Sequence, residues 1–233
     1  MLIVQRQVYL LGTVSTEIWE NDGSTPFSRI PGGLIQIGCL AKYSPIIRGN
    51  SIIWLGHTRQ FVEFTGTNVK FLGSQYDKEL AKFGTVTDCI GSYVQHDGQE
   101  HCIFYFPTED RTLVYDPVSE NWCEWAHWDS EALEWKAYDI RSSAKDLTSG
   151  KTLVGKKAKY IAALESKSRV DMVGTRYKAF KFLRQTGWID HGNSKRKRCE
   201  QLSFRVTRGD PAPEDNSVAA AAGSPNTGDF INE

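Results

Sequence analysis

The sequence has no apolar run long enough to cross a bilayer: its apolar start, Met1 to Val4, is broken at once by Gln5-Arg6-Gln7. That start therefore supports neither a spanning helix nor a secretory signal, and no membrane insertion is expected. Glycine-rich phosphate loops, HExxH, GxSxG and paired CxxC motifs are all missing, which removes the usual signatures of nucleotide, metalloprotease and hydrolase chemistry. Cysteine is sparse. The five, at 39, 89, 102, 123 and 199, are odd in number and widely spaced, a pattern that suits reduced, buried thiols in a protein made in the cytosol and not a disulfide framework.

Net charge is also missing, at a formal +0, yet the balance hides an asymmetry. Residues 1–140 carry ten basic and eighteen acidic side chains, 141–208 carry eighteen and five, and 209–233 carry none and five, leaving −8, +13 and −5. Such a basic block can face nucleic acid, an acidic protein surface or the acidic parts of a neighbouring copy, and it can also be an ordinary solvated face. What remains is a chain of 233 residues with 40% hydrophobic and 12% aromatic side chains, enough to build a sizeable core.

The stretch His101 to Trp125, HCIFYFPTEDRTLVYDPVSENWCEW, reads as three short strands. Cys102 to Phe106 ends at Pro107, Thr108-Glu109-Asp110 turns the chain, Thr112 to Tyr115 runs back, and Asp116-Pro117 turns it again before Asn121 to Trp125. This is the pattern of one β-propeller blade. An aromatic followed ten residues later by a large apolar residue recurs at Tyr9/Trp19, Trp54/Phe64, Tyr105/Tyr115 and Tyr160/Val170. The interval between units is about 45 to 55 residues, close to a blade repeat. These pairs are expected to be cross-strand neighbours, with Trp54, Tyr105 and Trp122 buried between blades. The competing reading is that any all-β chain rich in turns yields such pairs.

Residues 7–73 read as a series of strands separated by Asn-Asp-Gly, Pro-Gly-Gly and Gly-Asn turns. Gln75 to Phe83 puts Tyr76, Leu80 and Phe83 on one face and predicts a helix. Glu134 to Ile140 reads as a strand, 141–158 as a Lys/Ser/Gly-rich connection, and alternation resumes as far as about 208, with Leu202, Phe204 and Val206 on one face. Beyond 209 the chain turns to Pro, Ala, Gly, Ser and Asn, a low-complexity tail whose only large apolar group is Phe230-Ile231. The expected organisation is a propeller-like β domain over 1–140, a basic continuation of the β architecture over 141–208, and the tail over 209–233.

Candidate chemistry is thin. His101, Cys102, Cys123 and His127 invite a zinc reading, but adjacent strand residues point to opposite faces, so His101 and Cys102 share one ion only with difficulty. Glu124, Trp128, Asp129 and Glu131 are the residue types of a sugar-binding or glycan-cleaving cleft, although alternation turns Trp122 and Cys123 to opposite faces and commits some of these tryptophans to the core. Asn193 to Arg198, NSKRKR, has the composition of a nucleic-acid patch and equally of a basic hairpin turn. No catalytic, metal-binding or cofactor-binding residue is assigned, and no enzymatic turnover is expected.

Taken in order, TEIWENDGSTPFSRI (16–30), PGGLIQIGCLAKYSPIIRGNSIIWLG (31–56), FPTEDRTLVYDPVSENWCEW (106–125) and TGWIDHGNSKRKRCEQLSFRVTRG (186–209) resemble the tail hub or nozzle proteins of short-tailed bacteriophages, also called packaged-DNA stabilisation proteins. The chain departs from that pattern at Leu113, where a tryptophan is expected, and at Cys123, where a histidine is usual; neither change touches catalysis. The resemblance implies a mainly-β fold of propeller-like antiparallel blades, complete or incomplete, in a chain shorter than its relatives; a fragment, a split gene and a reduced version all fit. It implies a virion structural protein of the tail, made in the host cytoplasm. The implied partners are copies of itself in a homo-oligomeric ring, tail adaptor, needle or fibre proteins, and the genomic DNA passing through the channel. The alternatives kept open are a carbohydrate-binding or glycan-cleaving tail component and a nucleic-acid-binding module using 176–208.

Overall fold

The computed structural model describes residues 1–164 apart from 24–26, 67, 74–75, 97, 130–131 and 158–160, together with the backbone of 170–173 and 176–179. The chain divides into two compact units, Met1–Lys167 and Ser168–Glu233. Four sheets and a hairpin make up the first. The first sheet is β1 (Leu2–Val4), β2 (Gln7–Leu11), β3 (Thr16–Glu20) and β4 (Ser28–Ile35); the second is β5 (Ile46–Arg48), β6 (Ser51–Leu55), β7 (Phe61–Phe64) and β8 (Val69–Phe71). After a short helix, α1 (Asp77–Leu80), comes the third sheet, β9 (Ile90–His96), β10 (Gln99–Phe106), β11 (Arg111–Asp116) and β12 (Asn121–Glu124). The hairpin β13 (Ala126–Asp129) and β14 (Glu134–Ala137) leads to the fourth sheet, β15 (Ile140–Lys145), β16 (Thr152–Lys156) and β17 (Ile161–Leu164). In the second unit the described residues form one hairpin, β18 (Val170–Val173) and β19 (Arg176–Ala179).

Every sheet is an antiparallel meander with strands in chain order, the construction of propeller blades. The sheets stack face to face, and strand composition follows from that. All five residues of β6, SIIWL, are buried, because alternate side chains enter different cores. Ile53 and Leu55 join Phe61, Phe104, Phe106 and Trp122 between the second and third sheets, whereas Ile52 and Trp54 join Tyr9, Ile18, Val62 and Phe64 between the first and second. In β10, likewise, Cys102, Phe104 and Phe106 face the second sheet, and Ile103 meets Val94, Val114, Ile140 and Val154 at the fourth. Each such buried side chain contributes about 1.5–3 kcal/mol, and strands covered on both faces read as continuous apolar runs in place of alternation.

Trp54, Tyr105 and Trp122 are all buried, at 1%, 2% and 8% exposure. The ten-residue pairs are only partly as expected. Each of the first three does span one antiparallel hairpin, but the directly opposed partners are Tyr9 with Ile18, Trp54 with Val62, and Tyr105 with Thr112. Trp54 and Phe64 share a face diagonally, while Tyr105 and Tyr115 lie on opposite faces. By face, the residue equivalent to Tyr9 is Ile53 and not Trp54: a one-residue slip exchanges the two sides of a sheet. Tyr160 lies outside the described residues.

The helix is shorter than its sequence pattern suggests, four residues, yet Tyr76, Leu80 and Phe83 all pack on the cluster between the second and third sheets. Arg59, in the β6–β7 turn, holds it from below by donating to the carbonyls of Leu80 and Phe83 at 3.1 and 2.9 Å. The strand expected over 134–140 divides into β14 and the start of β15, and the connection expected over 141–158 is occupied by β15 and β16. Polar residues on the inward face hid its alternation: Ser143 and Thr152 donate to the Tyr93 and Gln95 carbonyls of the third sheet, and Lys145 and Lys156 share that face with Val154.

Candidate functional site

The residues of the zinc reading are not brought together. Cys102 is fully buried in the core between the second and third sheets, where burial pushes its thiol up to about 12. His101 faces the other way, with its ring 5.1 Å from that of Trp125, and burial depresses its pKa. Cys123 is exposed on β12, and His127 on β13 places Nδ1 3.0 Å from the Ala137 carbonyl. Among the described residues no group of three or more His, Cys, Asp or Glu is placed to hold a metal, and Cys39, Cys89, Cys102 and Cys123 are free thiols. Cys199 lies outside the described residues.

Three of the four residues of the glycan reading are described. Glu124 is held at both carboxylate oxygens by Arg111, whose Nη2 donates at 2.8 Å. Asp129 accepts the Ala132 N–H at 3.3 Å, and Trp128 packs edge-on against Trp135 at 5.3 Å on the β13–β14 hairpin. Glu131 lies outside the described residues, as do Asn193 to Arg198 and the tail. Among the described residues no helix is long and apolar enough to cross a membrane.

What the geometry does supply is a set of staples between successive sheets. The segment from Ile37 to Ser44 carries the chain from the first sheet to the second, and its backbone is bonded on both sides. The Cys39 N–H donates to the Gly12 carbonyl at 2.7 Å, and Thr16 Oγ1 donates to the Ile37 carbonyl at 2.8 Å. Toward the second sheet, the Trp54 indole N–H donates to the Gly38 carbonyl at 3.2 Å, the Leu40 N–H to the Leu55 carbonyl at 2.9 Å, and the Leu55 N–H to Ser44 Oγ at 3.1 Å. A Cβ on Gly38 would collide with the Thr13 backbone, so the sequence Gly-Cys-Leu-Ala is a close-approach linker, and burial raises the pKa of its Cys39 thiol. Between the second and third sheets, Arg48 Nε donates to Glu100 at 2.6 Å and its guanidinium lies 3.6 Å from the nearly buried Glu63.

The turn Asp116-Pro-Val-Ser119 recurs as Asp146-Leu-Thr-Ser149. In each the aspartate accepts the N–H two residues on, at 2.9 and 3.0 Å, and the serine hydroxyl. This repeat was available in the sequence as Asp-x-x-Ser. The hydrogen bonds from the serine hydroxyls hold both carboxyls below the usual carboxylate range.

The described residues of the first unit build successive antiparallel meanders joined by hydrogen-bonded linkers. The family described as Bacteriophage P22 Gp10, beta-propeller, matches residues 1–168. The chain belongs to that family. No curated protein matches it. Membership in the P22 Gp10 propeller family makes it a structural phage tail protein, a family not known for enzymes. The match ends where the first compact unit ends, so the propeller family is embodied in the four-sheet stack. The hairpin resemblance over 186–209 lies beyond both the match and the described residues.

Proposed function

We propose that the chain is a subunit of the tail hub or nozzle of a short-tailed phage, forming part of the conduit that retains and releases packaged DNA. Membership in the P22 Gp10 propeller family over 1–168 is the observation that carries this reading. A rigid stack supports it physically: sheets covered on both faces and linkers bonded to each neighbour suit a part that transmits load and presents surfaces. In this reading no residue is catalytic and none binds a metal or cofactor. The partners are further copies in a ring, the adaptor, needle or fibre proteins of the tail, and the DNA within the channel.

The charge division supports ring assembly. The acidic 1–140 region of one copy would meet the basic 141–208 region of the next, with the acidic tail over 209–233 reinforcing the contact through Phe230 and Ile231. Complementary charge of this kind steers and registers assembly more than it tightens it. The test of the overall reading is to interrupt the gene with a suppressible stop codon. Without suppression, the reading expects heads that fill with DNA and then lose it, with retention restored by the suppressed product. Heads that stay full and infect normally without the protein would overturn it.

A further inference from the structure

The last strands of the second and third sheets each turn apolar side chains toward the preceding sheet, with different outcomes. In the third sheet, Trp122 on β12 packs on Phe61 of the second at 4.7 Å and is 8% exposed. In the second sheet, Val69 and Phe71 on β8 oppose Phe64 and Val62 and so turn toward the first, yet they are 38% and 48% exposed. The cause lies in β4. Its register against β3 steps from Leu34 opposite Glu17 to Arg29 opposite Trp19, so Ile30 to Gly33 loop out of the ladder opposite Ile18. Two glycines permit this path: Gly32 sits at φ +77°, and a Cβ on Gly33 would meet the Ile18 carbonyl oxygen and Cβ at 3.1 and 3.2 Å.

The result is a groove of about 680 Å³ between β4 and β8, with Ile30, Ile35, Phe64, Val69 and Phe71 among its walls. Among the described residues no charged side chain lines it. Its β8 wall is also a free sheet edge, because β8 pairs with β7 alone. The Leu72 N–H donates to the Phe61 carbonyl and the Thr65 N–H to the Asn68 carbonyl. Hydrogen-bonded pairs alternate along an antiparallel ladder, so Lys70 bonds to Glu63, and the N–H and C=O groups of Val69 and Phe71 point away from β7. The same two residues thus offer apolar side chains to the groove and backbone groups to its rim.

We infer that this groove takes an extended segment of another tail protein, which adds a strand to β8 and sets bulky apolar side chains, at every second residue, against Phe71 and Ile30. The source of the partner rests on the tail reading. Its chemistry follows from the lining: DNA phosphates need lysine or arginine, and an anionic glycan would equally find no cation. A second copy paired through the same edge would set Lys70 opposite its own equivalent, in the kind of pair where side chains come closest, and like charges there are destabilising.

The test uses the full-length chain and overlapping synthetic peptides that tile this chain and the other proteins of purified particles, with binding followed by fluorescence anisotropy. The expected ligand is a peptide of another tail protein with apolar residues at alternate positions. N-methylation of its amides at one set of alternate positions should weaken binding about tenfold or more, and at the other set less than about twofold, because only every second amide of an added strand faces β8. Phe71→Asp should weaken binding about tenfold or more, whereas Lys70→Gln, on the opposite side of the strand, should leave it within about twofold. Equal effects of methylation at both sets would overturn strand addition. Binding confined to this chain's own peptides would overturn it too and assign the groove to a second copy. If no peptide binds while the chain is present in the particles, the inference falls and the tail reading stands; a chain absent from the particles would overturn both.

Discussion

Truncating Trp122 to Ala tests the core between the second and third sheets. The indole is 8% exposed and lies between Tyr115 of its own sheet, at 4.9 Å, and Phe61 of the second sheet, at 4.7 Å, with Phe104 at 6.1 Å. A buried Trp→Ala change costs about 3–5 kcal/mol, part of it the loss of aromatic pairs at about 0.5–1.5 kcal/mol each. β12 is an edge strand, so some collapse into the space is available and the lower half of that range, about 3–4 kcal/mol, is expected. For a unit of this size that corresponds to a fall in Tm of about 6–16 °C. Urea unfolding followed by far-UV circular dichroism should show a lower midpoint with unchanged slope. The control is Trp135→Ala, at 38% exposure on the β13–β14 hairpin, which should cost less than about 1.5 kcal/mol. Equal costs for the two, or a loss near 1 kcal/mol for Trp122→Ala, would refute the packing of the second sheet on the third through this ring.

Gly91→Ala should destabilise by about 2–3 kcal/mol or prevent folding, because its Cβ would fall 2.7 Å from Ile46 Cγ2 and inside the Ser44 carbonyl; Gly73→Ala, which meets nothing within 4 Å, should stay within about 0.5 kcal/mol by the same urea assay. Arg48→Met leaves Glu63 and Glu100 without their cation and should cost about 2–4 kcal/mol at neutral pH. The hydrogen bond from Arg48 lowers the Glu100 pKa, so this contribution is present above the ordinary carboxylate pKa and is lost as pH falls through the depressed folded value; in the variant, that acid-side slope should flatten. Burial pushes Tyr93 up to about 12, so stability held below the unfolded tyrosine value of about 10 should decline as pH rises from there toward 12. Tyr93→Phe should reduce that decline, and an unchanged alkaline slope would contradict it.

The third sheet was the most legible part of the chain, because Pro107, Asp110 and Asp116-Pro117 mark its turns and its strands are rich in aromatic and β-branched residues. The identity of the opposed residues was not legible. Where both faces of a strand are buried, as in Ser51 to Leu55, no polar residue reports which side faces which neighbour, and the ten-residue spacing missed the opposed partners by one, two and three residues. β15 and β16 were missed for the opposite reason: polar Ser143 and Thr152 face inward, donating to the Tyr93 and Gln95 carbonyls, while small Ala144 and Gly155 face outward, so hydrophobic alternation is weak. α1 was read too long because Tyr76, Leu80 and Phe83 do share a face, but only one turn of helix is needed to deliver them. The Gly-Cys segment was recognised by resemblance; its role as a linker depends on the approach of Gly38 to Thr13, which no local sequence signal reveals.

The central claim is that this chain acts as a built-in part of the tail, through its surfaces. Cryo-electron microscopy of purified particles carrying an epitope-tagged copy tests it most directly. The account predicts rotationally repeated density in the tail into which the four-sheet stack of residues 1–164 fits, with tag-specific labelling at that position. Particles of complete composition that contain neither the density nor the protein would contradict it.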